Sequence, residues 1–122
     1  MDQSKEMVKL AVAALEEKKA EDIRIIDIRQ VSVLADYFLI ASGSNSKQVQ
    51  AMTDNVEESL VKSGFSCRQI EGYQSANWVL MDYGDIIVHV FCREDRLFYD
   101  LERIWRDGKT IDPEEFKEIC GD

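Results

Sequence analysis

The sequence predicts a single α/β domain, a mixed sheet of about five strands flanked by helices. Two observations predict it. Stretches with apolar residues at helical spacing alternate along the chain with short β-branched or continuously apolar runs. In addition, the 122 residues contain one proline and no repeat or low-complexity stretch, so nothing marks an internal linker. A chain of this length can bury roughly two-thirds of its unfolded surface around one core.

Each element has a local signature. In residues 3–19, Met7, Leu10 and Ala14, with Val8, Ala11 and Leu15, recur at helical spacing, and Glu16 to Lys19 form the charged end of that helix. Residues 22–30 interleave Ile23, Ile25, Ile26 and Ile28 with Asp22, Arg24, Asp27 and Arg29, a half-alternating strand. Tyr37-Phe38-Leu39-Ile40-Ala41 is apolar without a break, as expected of a strand covered on both faces. It stops at Ser42-Gly43-Ser44-Asn45-Ser46, where a serine is expected to cap the next helix. That helix carries Val49, Met52, Val56 and Leu60 on one stripe and ends before Gly64.

Three strands are expected next, over residues 65–70, 77–83 and 86–92, with a polar connection at 71–76. The last two flank Gly84-Asp85, a two-residue tight hairpin loop that sets Trp78 opposite Phe91 and Leu80 opposite His89. A third helix is expected over 94–106, with Leu97, Leu101, Ile104 and Trp105 inward and Glu94 and Asp95 at its positive end. Gly108 ends it, and Asp112-Pro113-Glu114-Glu115 reads as the start of a short terminal helix.

Composition narrows the function. With 45% apolar and 32% charged residues the chain has the balance of a soluble globule. No apolar run approaches the ~20 residues needed to cross a bilayer. Met1-Asp2-Gln3-Ser4-Lys5-Glu6 has neither the apolar core of a signal peptide nor the acid-free character of a transit peptide, so the cytosol is expected. Cys67, Cys92 and Cys120 form no C-x-x-C pair and His89 is the only histidine, so neither a metal nor a cofactor is expected. The net charge of −9, from 24 acidic and 15 basic residues, disfavours extensive contact with nucleic acid and suits a basic partner.

The hairpin divides its residues between two faces. Val79, Met81, Val88 and Val90 make a plain aliphatic set, while Trp78, Leu80, Asp82, Ile87, His89 and Phe91 share the other side. Either this second face docks a partner through its aromatic residues, or the protein's own helices cover it as the other half of the core. The pattern alone leaves both readings open.

Two segments then carry a resemblance: Ala35-Asp36-Tyr37-Phe38-Leu39-Ile40-Ala41-Ser42-Gly43, and Glu71-Gly72 followed by the continuous run from Trp78 to Phe91. Together with Arg96, Tyr99, Leu101, Glu102 and Trp105 further on, they resemble the signature blocks of the ribosomal silencing factor (Iojap-like) family, in order and over most of the chain. The resemblance implies a fold related to the nucleotidyltransferase domain. It implies a bacterial cytoplasmic protein that binds a basic large-subunit ribosomal protein at the subunit-joining face. There it would block the small subunit and repress translation when nutrients are scarce. Direct contact with nucleic acid would be slight, no membrane would be involved, and a homodimer through a neighbouring surface is the expected storage form. The candidate partner-binding residues are Trp78, Leu80, His89 and Phe91. The whole chain, 1–122, is one such domain, with residues 109–122 a less typical C-terminal extension. Asp36 and Tyr37 are expected to mark a strand entry and Asp82 to steady the turn.

An enzyme and a general protein-binding adaptor are the two rival functions. A nucleotidyltransferase needs a Gly-Ser turn to hold phosphate and two carboxylates on a following strand to hold Mg²⁺. Gly43-Ser44 resembles the first, but Asp54, Glu57 and Glu58 fall on a helix, and Asp82 and Asp85 are separated by a turn. His89 and Cys92 stand three apart on a strand and emerge on opposite faces, which leaves no nucleophile–base pair. No catalytic residue is therefore assigned. An adaptor would share the acidic surface and the aromatic hairpin, and only the family resemblance separates it from the silencing role.

Overall fold

The computed structural model describes residues 3–30, 35–92 and 109–111. The expected helix over 94–106, with Arg96, Tyr99 and Trp105, lies outside these residues, as do the helix start at Asp112 and Cys120. The described chain runs α1 (Gln3–Glu17), β1 (Glu21–Asp27), β2 (Tyr37–Gly43), α2 (Ser46–Lys62), β3 (Gln69–Glu71), β4 (Trp78–Asp82), β5 (Ile86–Cys92) and β6 (Lys109–Ile111).

Helix α1 is rich in alanine and buries Met7, Val8, Ala11, Val12, Ala14 and Leu15, a stripe wide enough to seat it on a sheet. It ends where Lys19 adopts a left-handed φ of 61° and the Ala20 amide donates back to the Leu15 carbonyl at 3.0 Å. Helix α2 is capped by Asn45, whose side-chain oxygen accepts from the Gln48 amide at 2.9 Å. The expected serine cap is thus corrected. Ser44 is instead engaged by Gln48, whose Oε1 accepts from both the Ser44 amide and its hydroxyl at 2.7 Å. The Gln48 Nε2 donates to the Lys18 and Lys19 carbonyls at 3.1 Å, which ties the start of α2 to the end of α1.

The six strands form one mixed sheet in the order β3-β4-β5-β2-β1-β6. Only the central pair, β2 with β5, is parallel; the other neighbours run antiparallel. A parallel pair needs a crossover, which α2 supplies. Every residue of β2 is buried, as its unbroken apolar run implies. The sixth strand was not legible in the sequence. Lys109-Thr110-Ile111 holds one apolar residue and is a strand only because it pairs with Ile25, Ile26 and Asp27. The strand expected over 65–70 shortens to Gln69–Glu71, because the Phe65 amide is used to close α2 through the Leu60 carbonyl.

Two cores lie on the two faces of the sheet. On one face α1 and α2 pack over Ile25, Leu39, Val79, Met81, Val88 and Val90. On the other, Ile26, Ile28, Ala35, Phe38, Ile40 and Phe91 form a smaller cluster, joined by Trp78 and Ile87. Fully burying one large apolar side chain in either contributes about 1.5–3 kcal/mol.

Candidate functional site: the aromatic face of the hairpin

The hairpin register is the expected one: Trp78 pairs with Phe91, Leu80 with His89 and Asp82 with Ile87. Gly84 takes a φ of 85° at the first central position, where a two-residue hairpin turn favours glycine. The Asp82 carboxylate accepts from the Gly84 amide at 2.8 Å, so Asp82 steadies the turn. Asp36 stands at the entry to β2, with its amide donating to the Asp85 carbonyl at 2.7 Å. Tyr37 is buried, with the Arg29 guanidinium 5.3 Å from its ring centroid.

Burial separates the four candidate partner-binding residues. Trp78 and Leu80 retain partial exposure, whereas Phe91 is fully buried and His89 is 3% exposed. Of the four, only Trp78 and Leu80 present accessible side chains. Trp78 and Leu80 form the accessible layer, and His89 and Phe91 the layer beneath. The reason is strand order: β5 lies between β4 and β2, while β4 has only the three-residue β3 beyond it.

The lower layer shapes the upper one. The Trp78 indole stacks on Phe91 at 5.5 Å between ring centroids with an interplanar angle of 22°. Its Nε1–H donates to His89 Nδ1 at 3.1 Å. Phe38 meets the imidazole edge-on at 4.9 Å, a favoured geometry for rings with opposite charge at face and rim. Burial pushes the His89 pKa down to about 4, so the ring is neutral near pH 7.

Two residues of the loop before β4 support this face, Gly72 from the quoted Glu71-Gly72 pair and Ala76, which carried no signal in the sequence. Gly72 has a φ of 80°, and a Cβ there would collide with the Trp78 carbonyl oxygen. Ala76 is fully buried with a left-handed φ of 55°, and its amide donates to the Gly72 carbonyl at 2.9 Å. This loop is fastened to α2 by the Gln50 side chain on the Tyr73 carbonyl and by the Tyr73 hydroxyl on Asp54, at 3.0 and 3.1 Å. Only the glycine in an otherwise polar connection hinted at this role.

The catalytic alternatives find little chemistry here. Ser44's amide and hydroxyl are both taken by Gln48, so the turn that resembles a phosphate cradle is filled by its own helix. Among the described residues no group of three or more His, Cys, Asp or Glu could hold a metal ion. His89 faces the aromatic cluster, while Cys92 packs against the helix-side core. Burial raises the Cys67 pKa, and the thiol donates to the Gln69 carbonyl at 3.3 Å, a setting that disfavours the reactive thiolate.

Among the described residues, fold and face together define a small α/β protein with α1 and α2 on one side of its sheet and a layered aromatic cluster on the other. The family described as "Ribosomal silencing factor during starvation" matches residues 1–120. "Ribosomal silencing factor RsfS" of Halalkalibacterium halodurans is 40% identical over 111 residues, covering 91% of this chain and 95% of that protein. An X-ray crystal structure of a Chromobacterium violaceum protein superposes with a TM-score of 0.83 at 35% identity, covering 92% of each chain. More distantly, "Mitochondrial assembly of ribosomal large subunit protein 1" of Mus musculus is 30% identical over 103 residues, 80% of this chain and 44% of that protein. The chain belongs to the ribosomal silencing factor family.

Proposed function

We propose that this protein is a non-enzymatic ribosome-silencing factor of the bacterial cytoplasm. It docks the Trp78–Leu80 face on a basic ribosomal protein at the joining face of the large subunit. The docked bulk excludes the small subunit and damps translation when nutrients are limiting. The observation that carries the reading is the half-buried Trp78, stacked on Phe91 and hydrogen-bonded to His89. A large aromatic held rigid before binding loses little entropy on contact, which is why such residues dominate interfaces. Family membership supports a ribosomal partner, and the name of the mitochondrial relative supports the large subunit. The charge of −9 favours a basic protein over rRNA as the contact. Storage as a homodimer through a neighbouring surface belongs to the same reading.

The test is co-sedimentation of the purified protein with isolated large subunits, small subunits and joined ribosomes. Migration with large subunits alone is expected. Trp78→Ala should weaken it by about thirtyfold, the equivalent of about 2 kcal/mol, in a protein whose melting curve shows it folded. Binding to none of the three particles would sink the reading and favour an adaptor with another partner.

A further inference from the structure

The single imidazole of the chain lies directly beneath the candidate contact residue, yet at 3% exposure it cannot itself meet a partner's surface. With Nδ1 accepting from the Trp78 indole, the neutral ring carries its proton on Nε2. That Nε2 is buried and meets no hydrogen-bond partner among the described residues. A leucine here would fill the space without burying an unsatisfied N–H, so packing alone does not call for histidine. What histidine supplies and leucine lacks is the acceptor at Nδ1.

That acceptor has a geometric consequence. Stacking on Phe91 at 5.5 Å holds the plane of the Trp78 ring but is indifferent to which edge points inward. The terminal torsion of tryptophan is broad and roughly two-fold, so stacking alone leaves the indole free to flip. A bond from Nε1 to a fixed acceptor at 3.1 Å selects one of the two orientations. The acceptor is itself held, by Phe38 edge-on at 4.9 Å and by Phe91 stacked at 6.3 Å.

We infer that His89 is a positioning residue, whose Nδ1 orients the Trp78 indole for docking while His89 itself stays out of the interface. The inference rests on the docking reading above and says how that face is built.

Three substitutions test it. His89→Leu removes the acceptor and keeps apolar bulk. His89→Asn restores an amide oxygen near the Nδ1 position, and Trp78→Phe removes the donor. Each is followed by thermal melting, by the indole N–H resonance of Trp78 (identified by its absence in Trp78→Phe) and by co-sedimentation with isolated large subunits. In folded His89→Leu the Trp78 indole resonance should shift and docking should weaken roughly two- to tenfold, the scale of one hydrogen bond. His89→Asn should recover most of both. In the Trp78→Phe background His89→Leu should weaken docking no further, since its route through the indole is already gone.

A folded His89→Leu that docks like wild type overturns the inference, as does a folded His89→Asn no better than His89→Leu. If neither His89 variant folds, Trp78→Phe decides: undiminished docking overturns the inference, and a two- to tenfold loss supports it. Should the wild-type protein fail to bind large subunits, the docking reading falls and this inference with it. Wild-type binding with an insensitive His89→Leu removes the positioning role alone.

Discussion

A neutral imidazole set among Phe38, Trp78 and Phe91 titrates far from its ordinary range. Burial lowers the His89 pKa to about 4 from an ordinary 6.5, because a charged ring in this setting would lose its hydration. The linkage has a definite sign. Between those two values the unfolded chain binds a proton that the folded chain does not, so stability is lost as pH falls from 6.5 towards 4. The slope contributed by this one group is on the order of 1 kcal/mol per pH unit within that window. Thermal melts recorded across it should therefore fall more steeply for wild type than for His89→Leu, which has nothing to protonate there. Parallel curves for the two proteins would place the histidine in a better-solvated setting. Protonation of the folded ring would also put a proton on Nδ1, opposing the Trp78 donor, so the orientation of the indole should be lost only as pH falls through about 4.

At the level of the element, the hairpin and the loop before it act as one unit. Strand β4 begins at Trp78, and residues 72–76 fold back so closely that no side chain fits between Gly72 and the Trp78 carbonyl. Gly72→Ala should destabilise the fold by roughly 1–3 kcal/mol, from the cost of a left-handed φ to a residue with a Cβ plus a steric displacement of the β4 backbone. Gly64 supplies the comparison. Its φ of 89° is similar, but a Cβ there would meet nothing within 4 Å. Gly64→Ala should thus show only the conformational part, about 1 kcal/mol, with docking intact. Urea unfolding of both variants separates the two contributions, and equal losses would mean that the loop yields without strain. The hairpin itself was legible in the sequence, since Gly84-Asp85 between two apolar runs dictates both turn and register. Strand β3 is shorter than expected because Phe65 reads as extended, while its amide serves the end of α2 instead.

For the molecule as a whole, the charge of −9 bears on how the proposed docking would begin. On the proposed reading, long-range attraction to a basic surface would raise the rate of encounter, whereas burial of Trp78 and Leu80 would govern how long the complex lasts. Salt should separate the two. Taking ionic strength from ~0.1 M to ~1 M shortens the Debye length from about 10 Å to about 3 Å. Association with large subunits should slow markedly over that range while dissociation changes little, as stopped-flow kinetics would show. An association rate indifferent to salt would confine the charge to a role in solubility. Among the described residues no helix is long and apolar enough to cross a membrane.

The sequence by itself determined the α/β class, the order of helices and strands from α1 to β5, the hairpin register and the two chemically different faces. All of these follow from period and turn chemistry, which act over a few residues. Tertiary structure alone decided which aromatic residues remain accessible. Trp78, Leu80, His89 and Phe91 alternate in the same way along their strands, but β5 is enclosed between β2 and β4, and enclosure is a property of strand order. Strand β6 was hidden for the same reason: three residues with one apolar side chain become a strand only when β1 lies alongside to pair with them. The bond from Trp78 to His89 likewise joins residues 11 apart in sequence, brought together by pairing across the sheet.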